Sequence, residues 1–63
     1  MTKMIIDNKA TAKKKYECYD IDRNDYPTVD DLKLLAEDCM NNEVYFIRLY
    51  ENEKELFTIR NEK

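Results

Sequence analysis

The sequence predicts a small α+β domain: an antiparallel sheet, in ββαββ or βαββ order, with one amphipathic helix packed on one face. Three observations lead there. Residues 28 to 41 repeat apolar side chains with a helical period, and residues 43 to 60 alternate with a period of two on either side of a turn-forming centre. The chain has only 63 residues. It therefore reads as a single domain over residues 1 to 63, and a domain of this size buries only about 60% of the surface its unfolded chain exposes.

The first third is the least regular. Met4-Ile5-Ile6 reads as a short strand and the lysine-bearing stretch from Asn8 to Lys15 as a connecting loop. Tyr16-Glu17-Cys18-Tyr19-Asp20-Ile21 has strand composition, but its apolar phase shifts between Cys18 and Tyr19, which a β-bulge would explain. The helix is clearer. Thr28 followed three positions later by Asp31 matches a capping-box start, directly after Pro27. Leu32, Leu35, Ala36, Cys39 and Met40 then share one stripe, with Asp30 and Asp31 early enough to suit the helix dipole. Asn41-Asn42 stands where a left-handed residue would end the helix in place of glycine.

Residues 43 to 60 read as a hairpin, because Glu43 to Tyr50 and Glu55 to Arg60 are rich in β-branched and aromatic side chains. Placing Tyr45, Ile47, Leu49, Phe57 and Ile59 on one face requires Leu49 opposite Phe57 and Ile47 opposite Ile59. That register leaves an odd loop around Asn52-Glu53-Lys54, of the three-residue kind that usually wants glycine. Val44, Phe46, Tyr50 and Leu56 then fall on the other face, with Arg48, Thr58 and Arg60.

Composition closes many functional routes. Histidine, glycine and serine are all absent. Without histidine the chain lacks the usual neutral-pH acid/base group and the commonest zinc ligand, and without glycine it cannot build a Walker or dinucleotide phosphate loop. The expectation is a non-enzymatic protein with no cofactor. Cys18 and Cys39 are too few for a disulfide scaffold and read as small core residues. The longest apolar run, Val44 to Ile47, cannot span a bilayer, and Met4-Ile5-Ile6 is far short of a signal-peptide core. A cytoplasmic protein with reduced thiols follows as the expected setting.

Charge is segregated along the chain. Residues 1 to 16 carry five lysines against Asp7, a net of +4, and residues 17 to 63 carry thirteen acids against six bases, a net of −7. The densest stretch, Glu17 to Asp38, holds eight carboxylates against Arg23 and Lys33. Such a field favours a protein with a basic surface and disfavours direct nucleic-acid or membrane contact. The lysine triplet at 13 to 15 reads as solvated loop.

Residues 20 to 31, DIDRNDYPTVDD, carry the one motif with a chemical signature. The stretch resembles the twelve-residue calcium loop of the EF-hand family. Asp20, Asp22 and Asn24 match the first three side-chain ligand positions, Tyr26 the backbone-carbonyl position, Thr28 the ninth, and Asp31 the final bidentate one. Asp25 replaces the turn glycine, Pro27 takes the eighth position, and Asp31 is one methylene shorter than the usual glutamate. The resemblance implies a calcium-binding protein in which residues 9 to 20 are helical. The alternative is an acidic loop between a strand and a capped helix, built from the residues such loops use anyway.

Two surfaces remain as candidate binding sites. One is the acidic loop and helix start: Asp20, Asp22, Asp25, Tyr26, Asp30 and Asp31. The other is the sheet face opposite the helix, where Phe46, Arg48 and Tyr50 are of the residue types enriched at interfaces. That face suits a homodimer or structural oligomer, unless residues 1 to 12 fold across it. The leading expectation is a protein-binding module whose acidic surface occludes the basic channel of a nucleic-acid-processing protein. Very small, acidic, glycine-poor chains of this kind resemble phage or mobile-element inhibitors of host enzymes.

Overall fold

The structure, a computed structural model, describes residues 1 to 62. Five elements follow one another: β1 (Thr2–Asn8), β2 (Tyr16–Ile21), α1 (Val29–Cys39), β3 (Val44–Glu51) and β4 (Lys54–Arg60). The strands form one sheet in the order β2-β1-β3-β4, with every neighbouring pair antiparallel. This is the ββαββ α+β arrangement. Because β2 and β3 both run against β1, they are parallel to each other, and α1 supplies the crossover between them.

The core forms where two periodicities meet. Thr2, Met4 and Ile6 alternate inward along β1, and Ile47 and Leu49 do so along β3. Leu32 and Ala36 on α1 close over them, and both are fully buried. Leu35, Cys39 and Met40 from the predicted stripe, with Phe57 and Ile59 from β4, complete the cluster. Each fully buried Leu or Ile contributes roughly 1.5–3 kcal/mol relative to exposure.

The helix begins as its sequence requires. Asp31 N–H donates to Thr28 Oγ1 at 3.1 Å, and Thr28 N–H donates to Asp31 Oδ2 at 3.2 Å, the reciprocal capping box. Its end differs from expectation. Met40 leaves the helix in an extended conformation, and the positive-φ residues are Asn52 and Glu53, not Asn41 or Asn42. Asn41 instead accepts the Glu43 N–H on its side-chain Oδ1 at 2.8 Å, so a side-chain turn replaces the left-handed cap.

In the hairpin, Ile47 pairs with Ile59 and Leu49 with Phe57, as the apolar pattern demanded. The odd residue is not in the loop. Glu51 pairs with Lys54 across a two-residue turn at Asn52 (φ 49°) and Glu53 (φ 69°), and the register shifts one step later, leaving Leu56 as a bulge.

A second bulge changes which residues face the core. Asp7 pairs with Phe46 but Asn8 with Val44, so Tyr45 has no partner on β1. Val44 turns inward to 1% exposure, and Tyr45 turns out to 52%. The strict alternation expected from the sequence assigned these two the other way round. β2, by contrast, has no bulge: its register with β1 is continuous from Tyr16 to Ile21. Its apparent phase break reflects Cys18 lying on the open face while Tyr19 lies on the helix side.

Candidate functional site

The register stacks the open sheet face into three rungs. Reading from β2 to β4 they are Asp20, Lys3, Tyr50, Glu55; then Cys18, Ile5, Arg48, Thr58; then Tyr16, Asp7, Phe46, Arg60. Residues 1 to 12 do not cover this face. Residues 2 to 8 are instead a central strand that adds Lys3, Ile5 and Asp7 to it. Of the predicted face residues, Phe46, Arg48 and Tyr50 are where the sequence placed them; Val44 is not.

Arg48 sits at the middle of that face and is held from four sides. Its Nε donates to Thr58 Oγ1 at 3.0 Å and lies 3.0 Å from Glu55 Oε1, and its Nη1 donates to the Tyr50 hydroxyl at 3.3 Å. The guanidinium carbon stands 4.9 Å from the Phe46 ring centroid. Phe46 in turn meets Tyr45 at 5.7 Å between ring centroids. Lys3, Ile5, Tyr50, Asn52 and Glu53 border a shallow depression of about 700 Å³ near the hairpin turn. Arg48 orders the face through its Nε and Nη1 contacts.

The acidic residues gather at one end of the molecule, where β2 ends and α1 begins. Asp20, Asp22, Asp25 and Asp30 are exposed there. Asp20 has Lys3 at 4.0 Å, a distant and solvated pairing. Asp22 Oδ1 accepts the Asn24 N–H at 2.9 Å and shapes the turn. Asp31 is half-buried and its carboxylate is engaged in the capping box, and Tyr26 is half-buried against the core.

Arg23, the one cation of this loop, points inward. Its Nε donates to Tyr26 O at 2.8 Å, Nη2 to Pro27 O at 2.9 Å and Nη1 to Glu51 Oε1 at 2.7 Å. Thr2 Oγ1 donates to the other Glu51 oxygen. The Thr2 hydroxyl, with the Arg23 charge, holds the Glu51 carboxyl below the usual carboxylate range.

This geometry differs from the EF-hand frame. The segment entering the loop is a strand, not the expected helix. The Tyr26 carbonyl, which the pattern makes a ligand, faces a guanidinium, and the Asp31 carboxylate faces its own helix cap. Among the described residues no three acidic or thiol side chains converge as a metal site would require.

A third feature was not legible in the sequence. Between α1 and β2 runs a groove of about 550 Å³, lined by Met4, Ile6 and Val44 and by Glu17, Tyr19 and Asp38. The Tyr19 hydroxyl donates to Glu17 Oε1 at 2.6 Å and Asn8 Nδ2 to Glu17 Oε2 at 2.9 Å, and these bonds lower the Glu17 pKa. Burial raises the Cys39 thiol, which is half-buried beside this groove. Cys18 is exposed on the opposite face, so it is not the core residue expected, and both thiols are free. Among the described residues no helix is long and apolar enough to cross a membrane. Comparison with protein-family models, curated proteins and solved structures finds no match to this chain.

Proposed function

We propose that this chain is a non-enzymatic protein-binding module whose acidic end covers a basic surface of a nucleic-acid-processing protein, in the manner of phage or mobile-element inhibitors. One observation supports this above others. At the β2–α1 end the acids face solvent while Arg23 is turned inward onto two carbonyls and Glu51, so negative potential is left facing outward. The lysines of residues 9 to 15 lie at the opposite end of β1 and β2, too far to offset it. Such a field steers a basic partner and fixes its orientation.

Asp25 and Asp30 are the residues to reverse, because Asp22 and Asp31 hold local structure and Asp20 belongs to the sheet. Immobilised wild-type chain is expected to retain a nucleic-acid-binding host protein that duplex DNA displaces. An Asp25→Lys, Asp30→Lys double variant with an unchanged far-UV CD spectrum should retain at least about tenfold less. Equal retention by the double variant, or retention that DNA leaves untouched, overturns the proposal.

A further inference from the structure

The two edges of the sheet are not equivalent. β4 carries the Leu56 bulge, and Lys54, Glu55 and Arg60 lie along it, the devices that discourage another strand from pairing. β2 has neither bulge nor proline, and no basic side chain between Tyr16 and Ile21. Its two charges are both acids, Glu17 and Asp20, and Glu17 is already engaged by the Tyr19 hydroxyl and the Asn8 amide, so this edge is the less guarded of the two.

The hydrogen-bond parity of that edge follows from bonds in the sheet. Asn8 N–H donates to Lys15 O, which makes 8/15 a hydrogen-bonded pair in a register whose partners are Asp7 with Tyr16 and Lys3 with Asp20. Alternation then makes 6/17, 4/19 and 2/21 bonded pairs. The bond from Asn52 N–H to Met1 O gives the matching parity on the β3 side of β1. The backbone N–H and C=O of Tyr16, Cys18 and Asp20 therefore point outward, away from β1.

We infer that β2 pairs with β2 of a second copy of this chain, antiparallel and centred on Cys18, to form one continuous eight-stranded sheet. Full overlap of the outward groups allows one register: Tyr16 opposite Asp20 of the second copy, and Cys18 opposite Cys18. Glu17 then lies opposite Tyr19, repeating between copies the carboxylate–hydroxyl pairing that exists within each chain. No like charges meet directly across this register.

Charge complementarity favours the same occupant. An antiparallel two-fold lays the lysine-rich end of each copy, residues 13 to 15, alongside the acidic end, residues 20 to 25, of the other. The pairing also adds cover to Tyr16 and Tyr19, 60% and 44% exposed in the single chain. The backbone pairing is confined to Tyr16–Ile21 and leaves out Asp25 and Asp30, so its test is separate from that of the proposed function, with which it shares the acidic 20–25 end.

Sedimentation equilibrium at rising protein concentration tests it. Twice the 7.7 kDa chain mass is expected, with a dimer Kd that weakens as salt is added. Cys18→Lys sets two lysines face to face, and Cys18→Pro removes an outward N–H that β1 does not use. Each should raise the dimer Kd about tenfold or more while the monomer stays folded by CD. A second readout uses the thiols directly. Opposed Cys18 residues in a bonded pair have Cα atoms about 5.5 Å apart, within disulfide range. Mild oxidation of a Cys39→Ala variant should therefore give a covalent dimer, and prior addition of high salt should suppress it. A monomeric mass at every concentration overturns the inference. So does a dimer that survives both Cys18 variants, or one broken instead by Phe46→Glu, which would place the contact on the open face.

Discussion

Val44 and Tyr45 test the fold at the point where simple alternation fails. Truncating Val44 to alanine removes two methyl groups from a side chain 1% exposed, packed among Met4, Ile6, Leu32 and Ile47. At about 0.8 kcal/mol per buried carbon, with a cavity contribution added, the cost is about 2 kcal/mol. Tyr45→Ala removes a far larger side chain, but one 52% exposed whose ring contact is Phe46. An exposed aromatic pair of that kind contributes on the order of 1 kcal/mol at most. A domain this size has a total stability of roughly 3–9 kcal/mol, and each kcal/mol moves its Tm by about 4–8 °C. Thermal and urea melts should therefore show Val44→Ala falling by about 8–16 °C and Tyr45→Ala by less than half of that. Equal losses, or a larger loss for Tyr45→Ala, would refute the bulge and restore the strict alternation that puts Tyr45 in the core.

Three other outcomes follow from local chemistry. Glu53 holds φ at 69° without glycine's freedom, so Glu53→Gly, which creates the preferred Asn-Gly turn, should stabilise the hairpin by about 1 kcal/mol in a urea titration. Thr28→Ala removes the Oγ1 that accepts the Asp31 N–H and leaves the backbone arm in place; it should cost about 1 kcal/mol by the same measurement, with Thr28→Ser close to neutral. Glu51 has a folded-state pKa lowered by Thr2 and Arg23, so the stability it adds is present at neutral pH and disappears as pH falls below about 4. Glu51→Gln should accordingly melt below wild type at pH 7, with the gap narrowing as pH falls below the ordinary carboxylate range; a gap that stays constant on acidification would exclude the linkage.

How far the sequence could be read depended on what each signal averages over. The α1 stripe from Leu32 to Met40 spans two full turns, and the cap is a pair of residues at fixed spacing, so both were legible. The Ile47–Ile59 register was legible because period two leaves no other way to keep one face apolar. Bulges break that logic, since a single inserted residue reverses the phase of all that follows. Tyr45 and Leu56 mark the two places where this happens, and neither carries the glycine that would have signalled it. The central position of β1 was also hidden, because Met4-Ile5-Ile6 is apolar on both faces and gives no alternation. Of the candidate binding residues, Asp20, Asp22, Asp25 and Asp30 are at the surface as charge density suggested. Asp31 is half-buried in the capping box and Tyr26 half-buried against the core, which a motif does not record because it lists residue type and not how the side chain is engaged.

The absence of glycine, which removes phosphate-loop chemistry, also decides where this fold is irregular. With no residue free to take positive φ at low cost, the hairpin turn falls to Asn52 and Glu53, and mismatched strand lengths are absorbed by bulges at large side chains. All of those adjustments lie in the β3–β4 half. There they re-aim Tyr45, interrupt the outer edge at Leu56 and leave Arg48 pinned among Phe46, Tyr50, Thr58 and Glu55. The β1–β2 half is regular, uncovered by the helix along its outer strand, and polarised from lysine at one end to aspartate at the other. A regular edge with opposite charge at its two ends is self-complementary under a two-fold rotation and under no simple translation, so closed pairs are favoured over open chains. The bulges on β4 supply the complementary restriction: with that edge interrupted, a pair joined through β2 has no second regular edge on which to grow into a fibre.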